Sequence, residues 1–470
     1  MPKKTLILLA VLFVANFSAP INGMVQDEFP AEKLKKIDAL VDAYLEAGVI
    51  NSMAIGILDG DIELTKGYGK LSKENPQAPD GDTVFEIGSI SKVFTGILLA
   101  DAINRGIVKA DQPAGELLPE GITMPVSKKK PERQITLMHL STHISGLPRM
   151  PDNFDAADPA NPYVDYSAEK MFEFLNSHEL SRKPGIADEY SNFGVGLLGE
   201  LLSQKQNSKY ETLLVDRISG PLEMSNTMLT LTKDQKERFA PPHDAELAPS
   251  SNWEFDALAG AGGIRSTVND MLKFAQANLS PPDNETGKAI ELAFTQQRKS
   301  KGFGSSRMGF GWTINMKSET RWHNGQTAGY HSIMFVSREK QRALVVLCNT
   351  GTREVDKLAS EIMALLGGQD VKPRKFRKTM DVSAEVCARY VGQYSLSPRV
   401  KFDITYANDE KTKLMVKLTG QEAFRLHPET ETLWYLKVVD ADIEFTVDDK
   451  GGCTALTLFQ NGLQQTAKKQ

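Results

Sequence analysis

The chain has 470 residues, 41% hydrophobic and 24% charged, with a formal net charge of −5. That length allows two domains and at least one large core, and the composition is that of an ordinary globular protein. The mildly acidic balance gives no electrostatic case for nucleic acid as a partner, and the short basic run Lys128-Lys129-Lys130 reads as a solvated loop.

At the N-terminus, Lys3 and Lys4 precede an apolar run over 6–14 and a more polar stretch over 16–23. This is the pattern of an export leader, expected to be removed near Gly23. The apolar run is short for a bilayer span, so an uncleaved anchor is the lesser alternative. No cysteine follows the run, which argues against a lipid anchor. Cys348, Cys387 and Cys453 permit at most one intramolecular disulfide and require none. The mature protein is expected to be periplasmic or secreted.

The next segment, 31–47, has Leu34, Ile37, Leu40, Val41, Tyr44 and Leu45 on one helical face, with Gly48 as its stop. Segments 53–58 and 62–68 read as strands of a hairpin turning at Asp59-Gly60-Asp61. A helix then opens at Gly88-Ser89-Ile90-Ser91-Lys92, carried by Val93, Phe94, Ile97, Leu98 and Ile103 at helical spacing. The middle of the chain mixes helices with long polar loops, 148–162 and 241–252 among them, where binding sites are often built. Strand signals return at 331–336 and 343–348, and a helix follows at 354–366, stopped by Gly367-Gly368. Strands at both ends of this region and helices between them predict an α/β (α+β) architecture, a sheet with a helical subdomain beside it. Beyond it, 369–385 reads as a polar linker, and 386–470 as a small all-β module, with strands at 413–418, 432–438, 443–447 and 455–459. The main domain is thus expected over 30–368, after a leader at 1–23.

Ser89 and Lys92 stand one helical turn apart at a helix N-terminus, where the field favours negative charge. A serine hydroxyl needs an adjacent base and a positive field to act as a nucleophile, and this spacing can supply both. The spacing alone is weak, since Ser127/Lys130, Ser167/Lys170 and Ser337/Lys340 share it. Two further motifs single out Ser89. Tyr190-Ser191-Asn192 lies between the turn Lys183-Pro184-Gly185 and an apolar helix at 195–202. His323-Asn324-Gly325-Gln326-Thr327 lies just before the strand at 331.

This ordered triple resembles the serine β-lactamase and penicillin-binding-protein superfamily. It is most similar to the class C β-lactamases and their D-Ala-D-Ala carboxypeptidase, D-aminopeptidase and esterase relatives. Supporting segments are Phe85-Glu86-Ile87-Gly88, Leu140-Ser141-Thr142-His143-Ile144-Ser145-Gly146-Leu147-Pro148 and Gly260-Ala261-Gly262-Gly263-Ile264-Arg265-Ser266-Thr267. Tyr390-Val391-Gly392-Gln393-Tyr394 and Phe459-Gln460-Asn461-Gly462 resemble a small β-domain appended to such enzymes.

The resemblance implies a β-lactamase/transpeptidase-like fold and a barrel-like C-terminal domain. It implies an acyl-enzyme at Ser89, with Lys92 and Tyr190 as base candidates. Asn192 would orient the lysine and bind the substrate amide, and Gly325 would let the substrate approach the strand. The amides of Ser89 and Gln326 would form an oxyanion hole, beside Thr327. His323 stands where β-lactamases usually carry a lysine, so a titratable group replaces a fixed cation. The expected activity is hydrolysis of β-lactams or D-alanyl peptides. An esterase or D-aminopeptidase on the same scaffold, or a non-catalytic penicillin-binding protein, is the alternative. The expected partner is a small-molecule or peptidoglycan-peptide substrate, with cell-wall association possible. No cofactor or metal is expected. His139 and His143 stand four apart, but without an adjacent glutamate or third ligand they read as packing residues. Trp322 is expected to line the site through its neighbour His323, and Arg149 and Asn153 are candidate cleft-lining residues.

Overall fold

The computed structural model describes residues 28–130, 132–299, 306–437 and 439–470. The leader expected at 1–23, and position 438 of the strand expected at 432–438, lie outside these residues. Helix α1 (Ala31–Glu46) buries Ile37, Leu40, Val41 and Tyr44. Strands β1 (Ser52–Asp59) and β2 (Ile62–Gly69) form the expected hairpin. Its loop is only Gly60-Asp61, because Asp59 still pairs with Ile62 in the ladder. Gly60 has φ +65, which the tight turn requires and glycine adopts without a Cβ penalty.

A short strand β3 (Phe85–Glu86) leads into a 3-10 turn at Gly88–Ile90 and helix α2 (Ser91–Asn104). Every residue of α2 from Ser91 to Ala102 is buried. The sequence periodicity suggested one apolar face, but α2 is enclosed on all sides, as a helix apolar all round must be. Helices α3 (Leu137–Ser141), α4 (Ala168–Ser177) and α5 (Asn192–Lys205) belong to the helical region beside it. Strand β4 (Arg265–Ser266) pairs with β3.

The main sheet is completed by β5 (Arg298–Lys299), β6 (Ser306–Met308), β7 (Thr313–Asn315), β8 (Arg321–Gln326), β9 (His331–Ser337) and β10 (Arg342–Cys348). Among the described residues its order is β2-β1-β10-β9-β8-β7-β6-β5, with antiparallel neighbours throughout. Strand alternation gives it two apolar faces. Ala54, Leu58, Met334, Val336, Ala343, Val345 and Leu347 join the core around α2. Met53, Ile55, Ile57, Ile333, Leu344, Val346 and Cys348 pack against α1 and the helix Glu354–Leu366. The result is a sheet between a thin helical layer and a thick one, and Ser89, Lys92 and Tyr190 lie on the thick side.

The C-terminal strands, from Gly392–Ser397 to Leu463–Lys469, close into an eight-stranded antiparallel barrel. Its interior is filled, with Tyr390 stacked on Phe445 at 4.1 Å and Trp434 buried beside them. Tyr390 ends a helix, Ala384–Tyr390, that the strand-based reading did not foresee; Ser383 caps it. Outside the barrel, His427 meets Glu246 of the 241–252 loop at 3.4 Å. The three cysteines are free thiols, and burial pushes Cys348 up to about 12. No helix among the described residues is long and apolar enough to cross a membrane.

Candidate active site

Ser89 sits in the 3-10 turn before α2, and Lys92 is the second residue of the helix. Lys92 Nζ donates to Ser89 Oγ at 2.9 Å and to the Ala261 carbonyl at 2.5 Å. The side chain is 1% exposed. Burial, helped by the nearby Arg149 cation, drives its pKa well below the ordinary lysine value. A neutral amine beside a serine hydroxyl is a competent base.

The turn is tied to β8 by two glycines. Gly88 has φ +48, and a Cβ there would lie 2.7 Å from Gln326 N. A Cβ on Gly325 would lie 2.0 Å from Ile87 O and 2.8 Å from Ser89 N. Gly325 therefore first serves the fit of the serine turn against the strand, and in doing so brings the Ser89 and Gln326 amides to one place. The carbonyl of Ile87 accepts from Ser332 Oγ on β9 at 2.8 Å, which fastens the turn to the sheet.

Tyr190 precedes α5, whose N-cap is Ser191: Ser191 Oγ accepts from Gly194 N at 2.8 Å and donates to Pro148 O at 2.6 Å. The Tyr190 phenol faces Ser89. Lys92 Nζ lies 4.9 Å and the Arg149 guanidinium carbon 5.1 Å from its ring centroid. Of these neighbours, Ser89 and the Arg149 cation favour a phenolate. Burial outweighs them and holds the phenol up at about 12, so Tyr190 rests protonated. The two base candidates thus separate: Lys92 is driven toward its neutral form and Tyr190 keeps its proton.

Asn192 lies at the same helix start. Its Nδ2 faces Met150 Sδ at 3.6 Å and the Tyr163 hydroxyl, while its Oδ1 is buried without a hydrogen-bond partner among the described residues. The bonds on Lys92 come instead from Ser89 and Ala261, so the carbonyl of Ala261 does the orienting expected of Asn192. Ala261 belongs to the short helix Ala259–Gly262, inside a segment noted in sequence only for its resemblance.

His323 is 5% exposed, on the face of β8 turned toward Lys92 and Tyr190, whose ring centroid lies 6.4 Å away. Its Nδ1 meets the Asn324 carbonyl at 2.5 Å, a contact that assigns the proton to Nδ1 and leaves Nε2 an acceptor. Burial first, then the Lys92 charge, holds its pKa down to about 4. The group expected to titrate near neutrality is therefore a neutral imidazole there. Thr327 is 3% exposed, and its hydroxyl faces Glu86. Glu86 also accepts from Trp253 N at 2.7 Å and pairs with Arg265 at 3.8 Å; burial raises its carboxyl to about 7.

A slot of about 20 Å³ beside Ser89 is walled by Tyr163, Asn192, Trp253, Phe255, Gln326 and Thr327. Trp253, not Trp322, is its tryptophan. Alternation along β8 puts Trp322 and Asn324 on the opposite face from His323, against Phe335 and Asp356. There Asn324 donates to Asp356 at 2.8 Å, and His331 meets the same carboxylate at 2.7 Å, bracing β8 and β9 to the helix Glu354–Leu366. Arg149 borders the site, whereas Asn153 binds Lys170 O and the Tyr166 hydroxyl as a loop brace. His139 is spent in the capping box of α3 with Thr136. His143 lies beyond the end of that helix, with its ring 4.5 Å from that of Tyr190. A larger cavity, about 1120 Å³, opens beyond Phe255; Gly263 and Arg265 line it, but none of the candidate catalytic or substrate-binding residues does.

The Beta-lactamase family model matches residues 37–367. The chain belongs to the beta-lactamase family. Family relatives include the D-alanyl-D-alanine-carboxypeptidase/endopeptidase AmpH of Escherichia coli K12, 28% identical over 331 residues, or 68% of this chain and 83% of the relative. Penicillin-binding protein 4* of Bacillus subtilis 168 is 25% identical over 466 residues, covering 93% of this chain and 98% of its own. A crystal structure of a β-lactamase/D-alanine carboxypeptidase from Yersinia pestis superimposes with a TM-score of 0.63 at 24% identity, over 71% of this chain and 98% of that one. A class C β-lactamase mutant gives 0.61 at 20% identity. Both show the family fold. Members of the family are serine hydrolases, and this chain is one.

Proposed function

We propose that the protein is an exported acyl-enzyme hydrolase acting on the amide bond of β-lactams or D-alanyl peptides. In this reading the leader at 1–23 is removed, 30–368 is the hydrolase, and 369–385 connects it to the module at 386–470. Lys92 carries the reading: it is a buried amine with a depressed pKa, 2.9 Å from Ser89 Oγ.

Ser89 Oγ attacks the carbonyl carbon while its proton passes to Lys92 Nζ. The Ser89 and Gln326 amides receive the developing oxyanion. As the C–N bond breaks, Tyr190 gives its phenolic proton to the leaving nitrogen and regains one from the ammonium of Lys92. Water then cleaves the acyl-enzyme at the same centre. Asn192 and Thr327 line the path of the substrate amide. With His323 neutral, Arg149 is the cation placed to meet a substrate carboxylate.

That neutral histidine also favours a second reading, an esterase or D-aminopeptidase, because position 323 offers no fixed charge to select for a carboxylate. A panel of a fluorescent penicillin, a cephalosporin, a D-Ala-D-Ala peptide, a D-amino acid amide and a p-nitrophenyl ester separates the two. Wild type is expected to be acylated by the penicillin and to turn over the β-lactam or peptide, with Ser89→Ala inert. Turnover confined to the ester or amide selects the second reading. Stoichiometric labelling without any turnover would make the protein a penicillin-binding protein without hydrolysis.

A further inference from the structure

His143 ends the segment that leaves α3, and its backbone has φ +57. Past the end of a helix this left-handed conformation is usually given to glycine or asparagine, because a Cβ is strained there. A histidine retained at such a position needs a reason in its side chain. The side chain is 6% exposed, and both its ring contact and its hydrogen bond go to the tyrosine motif. Its ring lies 4.5 Å from that of Tyr190, tilted by 31°. Its Nδ1 accepts the Ser191 backbone N–H at 3.2 Å. Main-chain bonds complete the seat: Glu189 N donates to His143 O at 2.9 Å and Asn192 N to Arg149 O at 3.0 Å.

We infer that His143 is a positioning residue, the support on which the Tyr190 ring and the Ser191 amide are set so that the phenol stands against Ser89. This rests on the proposed roles of Ser89 and Tyr190. Packing alone does not explain the residue. A phenylalanine would offer the same ring without burying Nε2, which has no hydrogen-bond partner among the described residues. The nitrogen in use is Nδ1, and an acceptor at Nδ1 requires the Nε2–H tautomer. The charged and titratable groups facing the ring are Lys92, His323, Arg298, Arg149 and Tyr190. With burial, the cations among them keep the imidazole uncharged, so Nδ1 stays free to accept.

The test compares wild type with His143→Phe, which keeps the ring, and His143→Asn, which tolerates the left-handed backbone and keeps an acceptor. Acylation by p-nitrophenyl acetate and by a fluorescent penicillin is followed from pH 5 to 9. His143→Phe is expected to lose at least tenfold in acylation rate constant with KM changed less than twofold, and His143→Asn to recover part of the loss. His143→Phe acylating within twofold of wild type, with the same pH profile, overturns the inference. If His143→Phe does not fold, the His143→Asn comparison decides: unchanged rate and profile mean the ring does no positioning, a slower rate at unchanged KM means it does. Histidine ¹⁵N spectra of wild type give a readout that needs no substrate. His143 is expected as Nε2–H from pH 5 to 8, and an imidazolium or Nδ1–H form there overturns the inference. Failure of wild type itself to acylate at Ser89 would strike the proposed function instead, leaving the spectra to judge the support.

Discussion

Lys92 Nζ lies 2.9 Å from Ser89 Oγ, and the charge it feels most is another cation, Arg149. An ammonium in that position is disfavoured twice, by lost hydration and by repulsion. The pair is therefore biased toward a neutral amine facing a hydroxyl. Lys92→Met keeps the length and apolar stem but removes the base. Its acylation rate is expected to fall by about 10²–10⁴, the usual range for a lost general base. A stopped-flow rate within threefold of wild type would transfer the role to another group.

Gly325→Ala places a methyl group 2.0 Å from Ile87 O and 2.8 Å from Ser89 N. Both neighbours are backbone, so the turn must move off β8. Overpacking of this kind costs about 1–3 kcal/mol. The expected outcome is a lower melting temperature together with loss of acylation, because the displaced turn carries the nucleophile. Full activity in a folded Gly325→Ala protein would mean that the turn and strand need not touch.

His323→Lys places a fixed charge at position 323 of β8. Substrates bearing a carboxylate next to the scissile bond are expected to gain about tenfold in kcat/KM relative to a neutral ester, or about 1.4 kcal/mol. Parallel assays of a penicillin and a p-nitrophenyl ester measure the ratio. An unchanged ratio would show that Arg149, not this position, governs carboxylate selection.

Acid stability carries a signature of the same residue. In the folded protein His323 is held at about 4, against 6.5 for an unperturbed histidine. Between those values the unfolded chain takes up a proton that the folded chain refuses. Stability from this group therefore falls as pH drops from about 6.5 toward 4, by up to on the order of 3 kcal/mol. Glu86 runs the other way: its carboxyl is raised from 4.5 to about 7, so its contribution is present below 4.5 and lost as pH rises through 7. His323→Asn removes only the first effect. From pH 7 to pH 5 the urea midpoint of this variant should shift toward higher urea relative to that of wild type. Equal shifts would show that the imidazole does not titrate out of its folded environment.

Much of the site was legible because each motif is local. Ser89 and Lys92 meet through one helical turn, and Tyr190-Ser191-Asn192 announces a helix start through its serine cap. What escaped depends on contacts between distant segments. Ala261 takes a hydrogen bond from Lys92 with its backbone, so its side chain gave no hint. Trp322 was adjacent to His323 in sequence but opposite in space, and the period of two along β8 was the available signal for placing it there. The protonation of His323 and Tyr190 follows from burial, which no local pattern reports. His143 read as packing because its left-handed backbone and its stack on Tyr190 exist only once the two loops have met.

The sheet order also bears on how the molecule comes into being. Strand β1 lies between β2, its neighbour in the chain, and β10, which is translated hundreds of residues later. The hairpin can form early, but its other edge stays open until residues 342–348 arrive. Such distant pairing makes loop-closure entropy a late and large obstacle, and proteins dominated by it fold slowly. The serine turn leans on β8, next to β9 in that late-arriving part of the sheet, so a chain truncated before β8 would carry Ser89 and Lys92 without a completed nucleophile. Activity is thus postponed until synthesis of the hydrolase region is almost finished.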